Sequence, residues 1–237
     1  MRLMLMPFAL ALPLAACGAN AADSVASPGD GPVRSYAARG FTGVELRSSD
    51  SVDVRTGGEF SVRAEGAPRD LDALAIRVVD GVLRVDRKRG MWSTPSSRGV
   101  RVHVVMPHLS QASVGGSGQL RVDRVNGPVK AAIGGSGALD LGSVNGPSAE
   151  FAIGGSGRLT AAGNVGMLKV AIGGSGDVDA KQLRARGANI SVAGSGGVNA
   201  VVAGDAQVSI VGSGDVVLTG GARCQVSRAG SGEARCS

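Results

Sequence analysis

Apolar and polar residues alternate along the second half of this chain, and the alternation itself repeats. Gly-Ser-Gly occurs seven times, centred on Ser117, Ser136, Ser156, Ser175, Ser195, Ser213 and Ser231, at steps of 18 to 20 residues. Aligned on those serines, the chain falls into columns. Three residues after the Ser stand Leu120, Leu139, Leu159, Val178, Val198, Val216 and Ala234, and two further on stand Val122, Leu141, Ala161, Ala180, Ala200, Leu218 and Cys236. Three before it stand Val114, Ile133, Ile153, Ile172, Val192 and Ile210, and then Arg228. Five before it stand Ala112, Ala131, Phe151, Val170, Ile190, Val208 and Val226. A period of two on both sides of a glycine-rich tripeptide predicts strand, corner, strand. A further apolar position about eight residues after the Ser, at Val125, Val144 and Leu183, lies beside two Asn-Gly pairs, Asn126-Gly127 and Asn145-Gly146. Asn-Gly favours positive φ and predicts a second corner.

One unit of this length cannot bury its apolar side, but stacked units can. The pattern therefore predicts an all-β fold, a parallel β-solenoid (β-helix) of about seven Gly-Ser-Gly coils over residues 110–237, with coils about 4.8 Å apart. Composition changes the picture in one respect. Gly supplies 39 of 237 residues, well above the usual share of roughly 7%, which on its own suits a flexible linker array. The apolar columns exclude that reading. Aromatic residues at 3% fit a narrow lumen filled by Val, Ile, Leu and Ala.

Residues 34–109 alternate without the tripeptide, as in Ser51-Val52-Asp53-Val54-Arg55 and Val100-Arg101-Val102-His103-Val104. They are expected to begin the same stack and cap its open end, with one helical turn within Leu71 to Val79. At the other end, Arg228 breaks an apolar column of the last coil. The two cysteines there, Cys224 and Cys236, are expected to form a disulfide that closes the lumen.

Residues 1–16 read as a signal peptide: Arg2, then an apolar run from Leu3 to Ala16 too short to span a bilayer. Leu14-Ala15-Ala16-Cys17 resembles the lipobox of bacterial lipoproteins, which implies lipid modification of Cys17 and a membrane anchor. Gly18 after it implies outer-membrane sorting. Cleavage after Ala19-Asn20-Ala21 is the alternative, and gives a secreted chain. Residues 17–33 then form the lipidated Cys and a small-polar tether. Three cysteines, an odd number, suit one lipidated Cys and one disulfide in an oxidising compartment.

Charge and chemistry add less. The net charge is +6. Arg87, Lys88, Arg89, Arg98 and Arg101 cluster around Trp92, a candidate contact for anionic lipid headgroups or an acidic glycan, with a solvated hairpin loop as the plainer reading. An exported chain would not meet nucleic acid. Gly-Ser-Gly is not a nucleophile elbow, since no His follows His108. Gly173-Gly174-Ser175-Gly176-Asp177-Val178-Asp179 only faintly echoes calcium-binding nonapeptides, whose period is nine. No catalytic, metal or cofactor residues are assigned. The carboxylates open to a glycosidase or lyase role are Asp140, Asp177, Asp179 and Asp215, scattered along the coils.

Phe41-Thr42-Gly43-Val44-Glu45-Leu46, Gly81-Val82-Leu83-Arg84-Val85, Val102-His103-Val104-Val105-Met106-Pro107-His108-Leu109 and then the serial Gly-Ser-Gly coils resemble the auto-transporter adhesin head domain family (head GIN domain), over nearly all of residues 36–233. No literal Gly-Ile-Asn occurs; the nearest segment is Ala188-Asn189-Ile190. The resemblance implies an exported bacterial β-solenoid. The functional expectation is a non-enzymatic envelope lipoprotein, periplasmic or surface-facing, that offers an adhesin-like binding or scaffolding surface to a glycan or envelope protein. The alternative is a carbohydrate-active solenoid enzyme.

Overall fold

The computed structural model describes residues 32–88 and 99–237. The N-terminal strands are β1 (Val33–Tyr36), β2 (Gly43–Leu46), β3 (Ser51–Thr56) and β4 (Ser61–Glu65). A short helix α1 (Pro68–Ala73) precedes β5 (Leu74–Val79), β6 (Val82–Arg87) and β7 (Arg101–Met106). The repeating part opens with β8 (Gln111–Val114), β9 (Gln119–Val122), β10 (Val125–Asn126) and β11 (Val129–Ile133). It continues through β12 (Ala138–Ile153), β13 (Arg158–Ile172) and β14 (Asp177–Gly194). It closes with β15 (Gly197–Val202), β16 (Asp205–Gly212), β17 (Asp215–Thr219), β18 (Arg223–Ala229) and β19 (Ala234–Cys236).

The chain winds into the expected β-solenoid, three-sided in section. Face A holds the residues before each corner serine: β8, β11, the last parts of β12, β13 and β14, then β16 and β18, all paired in parallel. Face B holds the residues after it, from β9 through the first parts of β12, β13 and β14 to β15, β17 and β19. A short face C begins at β10. The long strands β12 and β13 each bend around all three faces, with register shifts where they turn. Register follows the serine alignment: Ile133 pairs with Ile153, Ile153 with Ile172, and Leu139 with Leu159. The columns read from the sequence therefore fill the lumen, where Phe151, Ile153, Leu139 and Leu159 are buried.

The corner glycines are required by space. At Gly157 a Cβ would lie 2.5 Å from the Gly137 carbonyl oxygen and 2.5 Å from Ile133 Cγ2. At Gly176 it would lie 2.6 Å from the Gly157 oxygen. None of Gly137, Gly157 and Gly176 has a positive φ. The second corner is mixed. Gly127 has the expected positive φ of 122°, whereas Gly146 needs to be Gly because a Cβ would strike Gly127.

The N-terminal end departs from a simple stack. The rung made by β2 and β3 lies between that of β6 and β7 and that of β8 and β9, so the order of rungs is not the order of the chain. Antiparallel strands finish this end: β5 on β6, β4 on β7, and β1 on β4. The helix starts earlier than the sequence reading placed it. Pro68, with its fixed φ, opens it, and Leu74–Val79, within the expected helical stretch, is strand β5. Asp80 and Gly81, at φ of 52° and 72°, make the tight turn into β6.

At the other end the last rung has no neighbour. Val226 is 45% exposed, although Val208 in the same column is 2% exposed. Cys224 and Cys236 are bonded across this end with Cα atoms 6.5 Å apart, joining face A to face B. Arg228, paired in register with buried Ile210, is exposed. A crosslink closing so short a loop contributes about 2–3 kcal/mol. Reduction is expected to raise hydrogen exchange first in residues 215–237 and to leave the coils around Ser156 protected. A uniform rise along the chain would show that the disulfide does not act as an end cap.

Candidate binding surface

Of the sequence-derived basic cluster, Arg87, Lys88 and Arg101 are among the described residues. Arg87 is turned inward: its Nε donates to Asp50 Oδ2 at 2.8 Å, its Nη2 pairs with Asp50 Oδ1, and its Nη1 lies 3.6 Å from Asp70 Oδ1. Asp50 and Asp70 are both buried, so a guanidinium is the group that makes their burial tolerable. This corrects the reading of Arg87 as a surface contact. Lys88 is exposed, and Arg101 is mostly exposed with Asp53 3.8 Å away. Arg89, Trp92 and Arg98 lie outside the described residues, as does Cys17.

The carboxylates weighed for catalysis are occupied locally. Asp140 accepts hydrogen bonds from Gln119 at 3.0 Å and from Thr160, and Arg121 lies 3.5 Å away. Asp177 accepts the Gly197 backbone N–H and sits 3.5 Å from Arg158. Asp179 pairs with Lys181, and Asp215 accepts the Glu233 backbone N–H. Each is used by its own or a neighbouring rung of face B. Among the described residues, no group of three or more His, Cys, Asp or Glu side chains is placed to hold a metal ion. His103 is half-exposed, 3.1 Å from Glu65.

Face A carries a trough of about 600 Å³ running along the solenoid axis. Its floor is the small column four residues before each serine: Ala152, Ala171, Ser191, Ser209 and Ser227. One side is the column six before the serine: Glu150, Lys169, Asn189, Gln207 and Gln225. In the rungs before the last these side chains point outward because their strand neighbours fill the lumen, and stacking at about 4.8 Å makes each column continuous. The sequence reading followed only the inward columns and missed this site. The same serine alignment, read at the outward positions, would have shown it.

Comparison with known proteins bears on what this architecture is for. No curated protein matches the chain. Among solved structures, a putative adhesin from Bacteroides fragilis is 16% identical, with a TM-score of 0.79 over 86% of this chain and 96% of that one. A putative lipid binding protein from Parabacteroides distasonis is 21% identical, with a TM-score of 0.67 over 86% and 96%. A putative adhesin from Parabacteroides merdae is 16% identical, with a TM-score of 0.64 over 86% and 95%. At these identities the likeness shows the fold. Residues 40–222 match the family described as "Putative auto-transporter adhesin, head GIN domain", and this chain belongs to that family.

Proposed function

We propose that this protein is an exported lipoprotein, anchored in the outer membrane through Cys17, whose solenoid is a non-enzymatic, adhesin-like binding surface. The observation that carries the binding role is the face A trough, broad, shallow and made of repeated columns. Such a surface suits recognition of an extended partner better than enclosure of a small substrate. The carboxylates that an enzymatic reading needs are already taken up in the ladders of face B. Two of the structurally similar proteins are named putative adhesins, and another a putative lipid binding protein. The anchor rests on the Leu14-Ala15-Ala16-Cys17 match and the odd cysteine, since Cys224 and Cys236 pair with each other.

Two measurements test this reading. Cys17→Ser is expected to abolish incorporation of a clickable fatty acid and to release the protein from membranes. Undiminished labelling would remove the anchor from the account. For the binding role, fluorescent beads coated with the full chain are expected to attach to bacterial cells, and Ser209→Arg, which places a charge on the trough floor, is expected to reduce attachment several-fold. Equal attachment by the variant would move the binding surface elsewhere.

A further inference from the structure

The two outward columns of face A change character at the same rung. The first rung of β8 places Gln111 and Ser113 in these columns; in the next three rungs the long column is charged (Lys130, Glu150, Lys169) and the small column is Ala132, Ala152 and Ala171. From the next rung to the end, the long column is Asn189, Gln207 and Gln225 and the small column is Ser191, Ser209 and Ser227. Core packing cannot demand this, because all six downstream side chains are exposed. Those three rungs of face A bear no charge at either outward column.

None of the six side chains is hydrogen-bonded to another described residue. Face B behaves differently: Gln119 and Thr160 donate to Asp140, and the Ser213 and Ser231 hydroxyls at the shared corner lie 3.0 Å apart. Three amides and three hydroxyls, each able to donate and accept, therefore stand unspent in two parallel columns about 4.8 Å per step. Val211, 58% exposed, adds an apolar surface beside them.

We infer that this downstream half of the trough binds a neutral polysaccharide, laid along the solenoid axis. The inference rests on the adhesive reading of face A and adds the ligand class. A sugar chain presents hydroxyls that donate and accept at a regular step close to one rung, together with C–H faces suited to Val211. A charged polymer would be desolvated against groups with no countercharge. An extended peptide gains its affinity chiefly by pairing with a strand edge, which the middle of a sheet face does not offer.

The test is affinity electrophoresis of the full chain through gels containing dextran, a soluble β-glucan, a galactomannan or, as the anionic control, alginate. Mobility is expected to fall at least twofold in one or more neutral gels and to stay unchanged in alginate. The triple variant Asn189→Ala, Gln207→Ala, Gln225→Ala is expected to regain free mobility, and Lys130→Ala to behave as wild type. Retardation in alginate alone, no retardation in any neutral gel, or a triple variant that is still retarded would overturn the assignment. So would a concentration-dependent dimer in sedimentation that Ser209→Arg dissolves, since the face would then belong to a second copy. Cell attachment lost on Ser209→Arg without retardation in any gel would leave the adhesive reading standing and remove the polysaccharide. Loss of both would remove both.

Discussion

Gly157→Val is expected to lower stability by about 3 kcal/mol or more, because overpacking costs alone reach that size. The new Cβ would lie 2.5 Å from a backbone oxygen one rung below and 2.5 Å from the Ile133 Cγ2 methyl. The oxygen cannot swing aside as a side-chain tip can, since Gly137 is held in the same ladder and Arg158 N–H donates to it at 3.1 Å. Rungs would have to separate, and parallel pairing on both adjoining faces would loosen with them. For a chain of this size such a loss corresponds to a fall in Tm of roughly 6–12 °C. Gly154→Ala is the matched control. A Cβ there meets nothing nearer than the Ile133 carbonyl oxygen at 3.9 Å, and the equivalent positions in the last three coils are Ala193, Val211 and Ala229. Its Tm is expected to stay within about 2 °C of wild type, in line with a surface change of about 0.5 kcal/mol. Equal melting of the two variants would show that the corner does not set the rung spacing.

The contrast between Gly154 and Gly157 also marks what the sequence made legible. Both are corner glycines, but the position of Gly157 is Gly in all seven coils, whereas that of Gly154 becomes Ala193, Val211 and Ala229 in the last three. The structure gives the reason, because only Gly157 faces the rung below. Inward columns were readable for a physical reason: a narrow lumen admits one size of side chain per layer, so Ile133, Ile153 and Ile172 repeat visibly. The N-terminal end lacks that constraint. Strand β4 pairs antiparallel with β7, and β6 and β7 lie beneath β2 and β3, by contacts between segments far apart in sequence. Only the Asp80-Gly81 turn was locally encoded, and it marks the β5–β6 hairpin in the sequence. Arg87 was misread for a related reason. A run of basic residues looks like a surface patch until a distant carboxylate, here Asp50, is brought to it by the fold. The trough was overlooked because outward columns need not repeat a residue type, and their change from charge to amide is informative only once face A is known to be one continuous surface.

Asp50 stands where later coils have their glycine corner, and its replacement by Asn is expected to be as damaging as Gly157→Val. The side chain is 1% exposed. Its carboxylate takes hydrogen bonds from Arg87, from the Ser48 hydroxyl at 2.7 Å and from the Val100 backbone N–H at 2.9 Å. Arg87 ends β6 and Val100 stands just before β7, so one carboxylate ties together both strands of the terminal rung. Burial pushes the Asp50 carboxyl upward, but the hydrogen bonds from Arg87, Ser48 and Val100 outweigh it and hold the group below the usual carboxylate range. A carboxyl with a depressed folded value stabilises the fold at pH above its unfolded value of about 3.9, and that contribution is lost as pH falls through the folded value. Removing one partner of a buried ion pair costs about 3–5 kcal/mol, and Asp50→Asn leaves Arg87 facing Asp70 alone. The variant is expected to melt well below wild type at pH 7, with the gap narrowing in acid as wild-type Asp50 protonates. Hydrogen exchange should rise first in residues 82–87 and 100–106, with the coils around Ser156 still protected. A variant whose deficit is the same at pH 7 and pH 2.5 would show that the charge on Asp50 contributes nothing and that only its shape matters; one with no deficit at pH 7 would remove the clasp altogether.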